Sequence, residues 1–178
     1  MSENILQKII DKKKSRLIDL KIKRPLDSIL EHPADAMSYY NFKQAIEKNM
    51  SDGKISLIAE SKKASPSAGV IIKDYNPVEI AKIYQSKKAT CLSILTEEDF
   101  FLGNLSHISE IKKKIDLPVL CKDFFVDKFQ VPLAKSYGAD AILIILAGIS
   151  EKTADEIYEE ALKHNMSVIV EVHTVEEA

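Results

Sequence analysis

Five short apolar runs recur along this chain, each followed by a stretch with helical spacing, and any fold must satisfy that alternation. The runs are Ile55–Ala59, Cys91–Leu95, Pro118–Lys122, Ala141–Leu146 and Ser167–Val172. All are rich in Ile, Val and Leu, as expected of parallel strands covered on both faces. Between them, Asn76-Pro77 pairs an N-cap with a first-turn proline and opens a helix through Lys88. Leu105, Ile108, Ile111 and Ile115 mark one face of the next helix. A third opens near Asp127, tolerates Pro132 in its first turn and closes at Gly138. In the fourth, Ala154, Ile157, Ala161 and Leu162 recur at helical spacing. Units of about thirty residues with this order imply parallel strands joined by right-handed crossovers.

Two α/β architectures fit: an open doubly wound sheet and a (β/α)8 barrel, the TIM barrel. Ser65-Pro66-Ser67-Ala68-Gly69, after the first run, is not a dinucleotide-binding glycine fingerprint, and there is no Walker A loop. How the runs end decides between them. The first leads into Glu60, Lys62 and Lys63, the third ends in Lys122-Asp123, and the fifth ends in Glu171. Charges at the ends of buried strands are unfavourable unless something uses them. Barrels place functional groups at the C-terminal ends of several strands, so the barrel is the expectation. Side chains alternate along a strand, and alternate strands share an interior layer. Glu60, Lys122 and Glu171 are therefore expected at one height, with Lys122 between two carboxylates and Lys62 leaning over the rim. A lysine in such a setting suits general acid catalysis. A structural ion-pair network closing the barrel is the alternative.

The first fifty residues differ in kind. Ile5, Leu6, Ile9, Ile10, Leu17 and Ile18 form an apolar helical stripe, and Lys12–Lys14 reads as its solvated face. A second helix is expected through Tyr39–Lys48. The division is a helical extension over residues 1–50 and barrel strands one to five over residues 51–178. With 25 basic and 27 acidic residues, no long-range field points to nucleic acid or an anionic membrane. No apolar run approaches the ~20 residues of a membrane span. The opening Met-Ser-Glu-Asn lacks a secretory pattern, which leaves the cytoplasm as the expected location. Cys91 and Cys121 read as buried reduced thiols, and no metal cluster is expected. His32, His107, His164 and His173 lack ligand spacing and read as surface or incidental; His173, two residues past Glu171, is the exception to watch. Ser65 and Ser67, with free N–H groups after Pro66, suit phosphate or carboxylate oxygens. Phe100-Phe101 and Phe124-Phe125 lie beyond strand ends, where they line a pocket for a flat substrate or simply pack the loops. A (β/α)8 barrel takes about 250 residues and eight strands, so 178 residues with five runs are expected to be a piece of one.

Ile58-Ala59-Glu60-x-Lys62-Lys63-x-Ser65-Pro66-Ser67, Leu92–Glu97 with Phe101-x-Gly103, Pro118–Phe124, Gly138–Ala141 and Val170–His173 resemble indole-3-glycerol phosphate synthase, in that family's order. The resemblance implies a (β/α)8 barrel with an N-terminal extension and a ring-closing step of tryptophan biosynthesis. That step converts 1-(2-carboxyphenylamino)-1-deoxyribulose 5-phosphate to indole-3-glycerol phosphate, with loss of carbon dioxide and water and without metal or organic cofactor. It implies Lys122 as the general acid on the ketone oxygen and Glu171 as a stabiliser or proton shuttle on the amine side. Glu60 is implied as a base or holder of the lysines, and Lys62 as the partner of the substrate carboxylate. Phe101, Phe124 and Leu143 would line the anthranilate pocket, with Ser65 and Pro66 also binding substrate. It further implies strands six to eight, carrying the phosphate loop, so these residues alone are expected to have little activity. Fusion to or association with another enzyme of the pathway is compatible with it. Two other readings remain: a lyase or aldolase using Lys122 as a Schiff base, and a non-catalytic half-barrel.

Overall fold

Consecutive branched apolar residues are buried together only when both faces of a strand are covered, and the three middle strands of one parallel sheet achieve this, while its two edge strands stay partly open. A computed structural model describes residues 3–30 and 38–178; His32 lies outside the described residues. The sheet comprises β1 (Ile58–Ser61), β4 (Cys91–Leu95), β5 (Val119–Lys122), β6 (Ala141–Ile145) and β7 (Ser167–Glu171), while β2 (Ala64–Ser65) and β3 (Gly69–Val70) form a small antiparallel hairpin. All neighbours in the order β1-β4-β5-β6-β7 pair in parallel. A doubly wound sheet reverses its strand order at a switch point. This sheet runs in one direction throughout, as an arc of a barrel does.

The helices are α1 (Glu3–Lys23), α2 (Leu26–Leu30), α3 (Phe42–Ser51), α4 (Pro77–Ser86), α5 (Ser106–Lys112), α6 (Gln130–Ser136) and α7 (Glu151–Lys163). Outward residues of the strands, among them Leu92, Ile94, Val119, Cys121, Ile142 and Ile144, pack with Ile108, Ile111, Val131 and Ile157 of the helices. Inward residues, including Cys91, Leu95, Leu120, Ala141, Leu143 and Ile145, form a second cluster with Phe42 of α3 and Ile9 of α1. Both cysteines are buried free thiols, and burial pushes that of Cys91 up to about 12.

Several boundaries move from their expected places. The first strand begins at Ile58 rather than Ile55, because β4 offers its first ladder partner, Cys91, opposite Ile58; Ile55 is 94% exposed. Glu60 therefore lies inside the strand. The Asn76 side chain caps α4 as expected, but the helix ends at Ser86, and Lys88 takes a left-handed φ of 62° two residues later. The helix expected through Tyr39–Lys48 is α3, which starts behind the Asn41 cap, and the short α2 precedes it. On α1, Ile9, Ile10 and Leu17 are buried, whereas Ile18 is 65% exposed. Lys12 and Lys14 are solvated, but Lys13 is only 5% exposed and corrects the reading of that run. Ile9, Lys13 and Leu17 follow one another at a spacing of four and so share the docked face.

Beneath the sheet, Lys112 donates to Asp140 at 2.8 Å with both side chains fully enclosed. Asp140 also accepts from the backbone N–H of Val119 (2.8 Å) and Tyr40 (2.7 Å), which ties the segment before α3 to the sheet. Burial opposes both charges, pulling the Lys112 amine down and pushing the Asp140 carboxyl up against the attraction between them. Removing one member of such a pair strands the other. Lys112→Met is expected to destabilise the protein by about 3–5 kcal/mol, read as a lower urea midpoint.

Candidate active site

The ladder sets the height of each inward side chain. Glu60 pairs across to Ser93, Ser93 to Leu120, Leu120 to Ala141 and Ala141 to Ser167. Lys122 stands two residues beyond Leu120, and Glu171 four beyond Ser167. Moving two strands along the sheet thus advances the inward layer by two residues. Tilted barrel strands with a shear of one residue per strand bring such positions to one level. Glu60, Lys122 and Glu171 accordingly border one cavity at the C-terminal end of the sheet, with Lys62 beside them.

This cavity measures about 200 Å³. Phe101, Phe124 and Leu143 wall it, with Leu95 and Ile145 completing its apolar side. The Phe101 and Phe124 rings lie 6.1 Å apart at 37°. Of the four loop phenylalanines, these two face the cavity, while Phe125 packs outward among the helices. One wall is therefore flat and aromatic and the other charged.

The charges pair differently from the expected row. Lys122 donates to Glu171 at 3.0 Å, and Lys62 donates to Glu60 at 2.7 Å. Lys122 thus contacts one carboxylate, because Lys62, two residues along the same strand end, reaches Glu60 instead. The other Glu171 oxygen lies 2.9 Å from His173 Nε2. Partial burial pushes Glu171 up, yet the hydrogen bond and charge of Lys122, joined by those of His173, outweigh it and hold the carboxyl below the usual glutamate range. His173 thus contacts Glu171 from outside the residues that line the cavity. His107 stacks against Tyr75 and His164 pairs with Glu160, both away from it.

Ser65 and Pro66 sit on the β2–β3 hairpin, apart from the residues that line the cavity. The Ser65 hydroxyl accepts from Ala68 N–H at 3.2 Å and so serves its own turn. Among the described residues, no three His, Cys, Asp or Glu side chains are grouped to hold a metal ion. Among them too, no helix is long and apolar enough to cross a membrane.

Three acids escaped the sequence reading as parts of the frame. Glu97 is buried and accepts from the N–H groups of Asp99 (3.0 Å), Phe100 (2.7 Å) and Phe101 (3.0 Å). It folds the loop that presents Phe101. Gly103 closes that loop: a Cβ there would lie 2.5 Å from the Leu95 carbonyl oxygen, so no side chain fits. Asp123 also borders the cavity, but its carboxylate serves partners other than those of its neighbour Lys122. It accepts from Thr96 Oγ1 (2.7 Å) and Phe124 N–H (2.8 Å), and its Oδ1 lies 2.8 Å from Lys13 Nζ. Glu98 takes the other side of Lys13 at 2.8 Å. The available signal was Lys13 itself, a charge at the stripe position between Ile9 and Leu17.

The chain is similar to known proteins along most of its length. The family model described as indole-3-glycerol phosphate synthase matches residues 6–178. An indole-3-glycerol phosphate synthase from Zymomonas mobilis subsp. pomaceae is 38% identical over 174 residues, covering 98% of this chain and 66% of that protein. One from Alkaliphilus metalliredigens is 42% identical over 173 residues, covering 97% of this chain and 65% of that protein. The chain thus spans just under two thirds of the length of these relatives. Among solved structures, tryptophan synthase subunit alpha from Legionella pneumophila matches with a TM-score of 0.49 at 14% identity, over 74% of this chain and 58% of that one. That likeness is too slight to rest a topology on, and the strand order stands by itself.

Two outcomes follow from the geometry. Glu97→Ala leaves three loop amides without their acceptor and is expected to destabilise the protein by about 3 kcal/mol in urea titration. Lys122→Met should move the Glu171 titration upward toward the ordinary glutamate value, as followed by carboxyl carbon NMR. Because the folded value lies below the free one, the stability this pair contributes is complete above the ordinary glutamate range. It is lost as pH falls through the depressed value of Glu171, and in the variant that loss should shrink to the part His173 supplies.

Proposed function

The chain belongs to the indole-3-glycerol phosphate synthase family, and on that premise we propose that the protein carrying it closes the indole ring. The substrate would be 1-(2-carboxyphenylamino)-1-deoxyribulose 5-phosphate, and the products indole-3-glycerol phosphate, carbon dioxide and water. The observation that carries this reading is the pairing of two ammonium–carboxylate couples beside one aromatic-walled cavity.

The chemistry needs an acid, a neighbouring base and a flat apolar support. The aminobenzoate ring lies against Phe101, Phe124 and Leu143, its carboxylate toward the Lys62 ammonium. The ring carbon bearing that carboxylate attacks the ketone carbon, and Lys122 transfers its proton to the ketone oxygen. Positive charge then develops on the amine, which Glu171 offsets. Carbon dioxide leaves with its bonding pair returned to the ring. The new hydroxyl departs as water after protonation from the lysine side, and a carboxylate takes the last ring proton. Glu60 keeps Lys62 in place between these steps. Ser65 and Pro66, on the hairpin at the rim, hold the substrate from outside the cavity.

Support for an acid rather than a nucleophile comes from Lys122 donating to a carboxylate: an amine must give up its proton before it attacks a carbonyl. The site is in this respect poorly set for a Schiff-base mechanism. In the full gene product, Lys122→Met is expected to lower kcat by about 100- to 10,000-fold while the urea midpoint changes little. Borohydride added with substrate should trap no adduct. Full turnover in the variant would refute the acid role, and a trapped adduct on Lys122 would favour the lyase.

A further inference from the structure

We propose that Lys13, on the N-terminal helix α1, is a positioning residue for the cavity: its buried ammonium holds together the two loops that present Phe101 on one side and Lys122 with Phe124 on the other. The inference rests on reading the cavity as the site of ring closure. Lys13 Nζ lies 2.8 Å from Asp123 Oδ1 and 2.8 Å from Glu98 Oε2. From each acid an unbroken chain of contacts leads to the cavity wall. Asp123 follows Lys122 directly and accepts from Phe124 N–H, so its carboxylate fixes the backbone on both sides of itself. It also accepts from Thr96 Oγ1, and Thr96 N–H donates to the Lys122 carbonyl at 3.0 Å. Glu98 follows Glu97, whose carboxylate gathers the amides up to Phe101.

Stability alone gives a poor account of this lysine. The helix already has apolar anchors, since Ile10 and Leu17 pack with Val126, Phe129 and Leu133. A buried ion pair adds little over an apolar side chain of similar volume. What a shared ammonium adds is direction. Its attraction is satisfied only when both carboxylates stand at hydrogen-bond distance, which fixes the separation of the two loops. Those loops carry the two rings against which a flat substrate would lie. Burial works to lower the Lys13 amine, but Asp123 and Glu98 outweigh it and hold it well above the usual lysine range. The two carboxylates thus favour the charged ammonium over the neutral amine. Arg16, one turn on, reaches Asp99 at 2.7 Å and extends the same contact toward solvent.

The test compares Lys13→Met, Lys13→Arg and Leu17→Ala in the full gene product, at a temperature where each is folded. Leu17 anchors the same helix through apolar packing and offers neither acid a hydrogen bond, so it reports undocking. Lys13→Met is expected to lower kcat/KM by ten-fold or more and to speed exchange of the Phe101 and Phe124 amides. Lys13→Arg should recover part of the rate, and Leu17→Ala should stay within two-fold of the parent. Equal rates in Lys13→Met and the parent would overturn the proposal, as would an equal loss in Leu17→Ala. Should Lys13→Met not fold, Glu98→Gln, which leaves the Asp123 contact intact, is expected to lower kcat/KM several-fold; an unchanged value overturns the proposal. If the parent itself shows no turnover, the ring-closure reading fails. Amide exchange then still decides whether Lys13 orders the two loops.

Discussion

Parallel pairing with a steady one-residue advance per strand governs the mouth of this barrel arc. Each strand sends alternate side chains to opposite faces, so one choice of register decides which residues meet helices and which meet each other. Neighbours in sequence therefore serve different ends. The Lys122 ammonium goes to Glu171 while the Asp123 carboxylate goes to Thr96 and Lys13 to hold the loops, and Glu60 takes Lys62 while Ser61 turns to Tyr75. The same advance lifts Glu171 to the level of Lys122 although the two lie forty-nine residues apart. A slip of one residue in β7 would send Glu171 outward and leave Lys122 without its partner.

The charged pairs divide by solvent access, and the division follows their work. Lys112–Asp140 is sealed, and Lys13–Asp123 is almost so. Such pairs fix geometry, because separating them would leave charge in an apolar setting. Lys62–Glu60 and Lys122–Glu171 are partly open to water. Pairs of that kind contribute little to stability and can exchange a partner for a ligand at small penalty. The inner pairs form the frame, and the outer pairs are free to do chemistry.

The class of fold was legible because five branched apolar runs alternating with capped helices leave few arrangements. Glu60, Lys122 and Glu171 were legible for a related reason: charge at the end of a buried strand is conspicuous. Lys13 escaped because it sits in a run of three lysines, where its neighbours conceal its place on the docked face. The start of β1 escaped because Ile55 is as apolar as any strand residue, and only the reach of β4 determines where pairing begins. Glu97 escaped because its partners are backbone amides, which no side-chain pattern reveals.

Residue type and spacing alone determined the five parallel strands, the helices between them and the inward set of charges, since each follows from local periodicity and from the penalty of burying polar groups. The choice of Phe101 and Phe124 among four loop phenylalanines came from the family resemblance. Tertiary structure decided who partners whom. Lys62 takes Glu60 away from Lys122, His173 joins Glu171, and a lysine from the first helix joins two distant acids. Such choices turn on differences of an ångström or two between side chains brought together from far along the chain, and distances of that kind exist only once the strands have paired into one sheet.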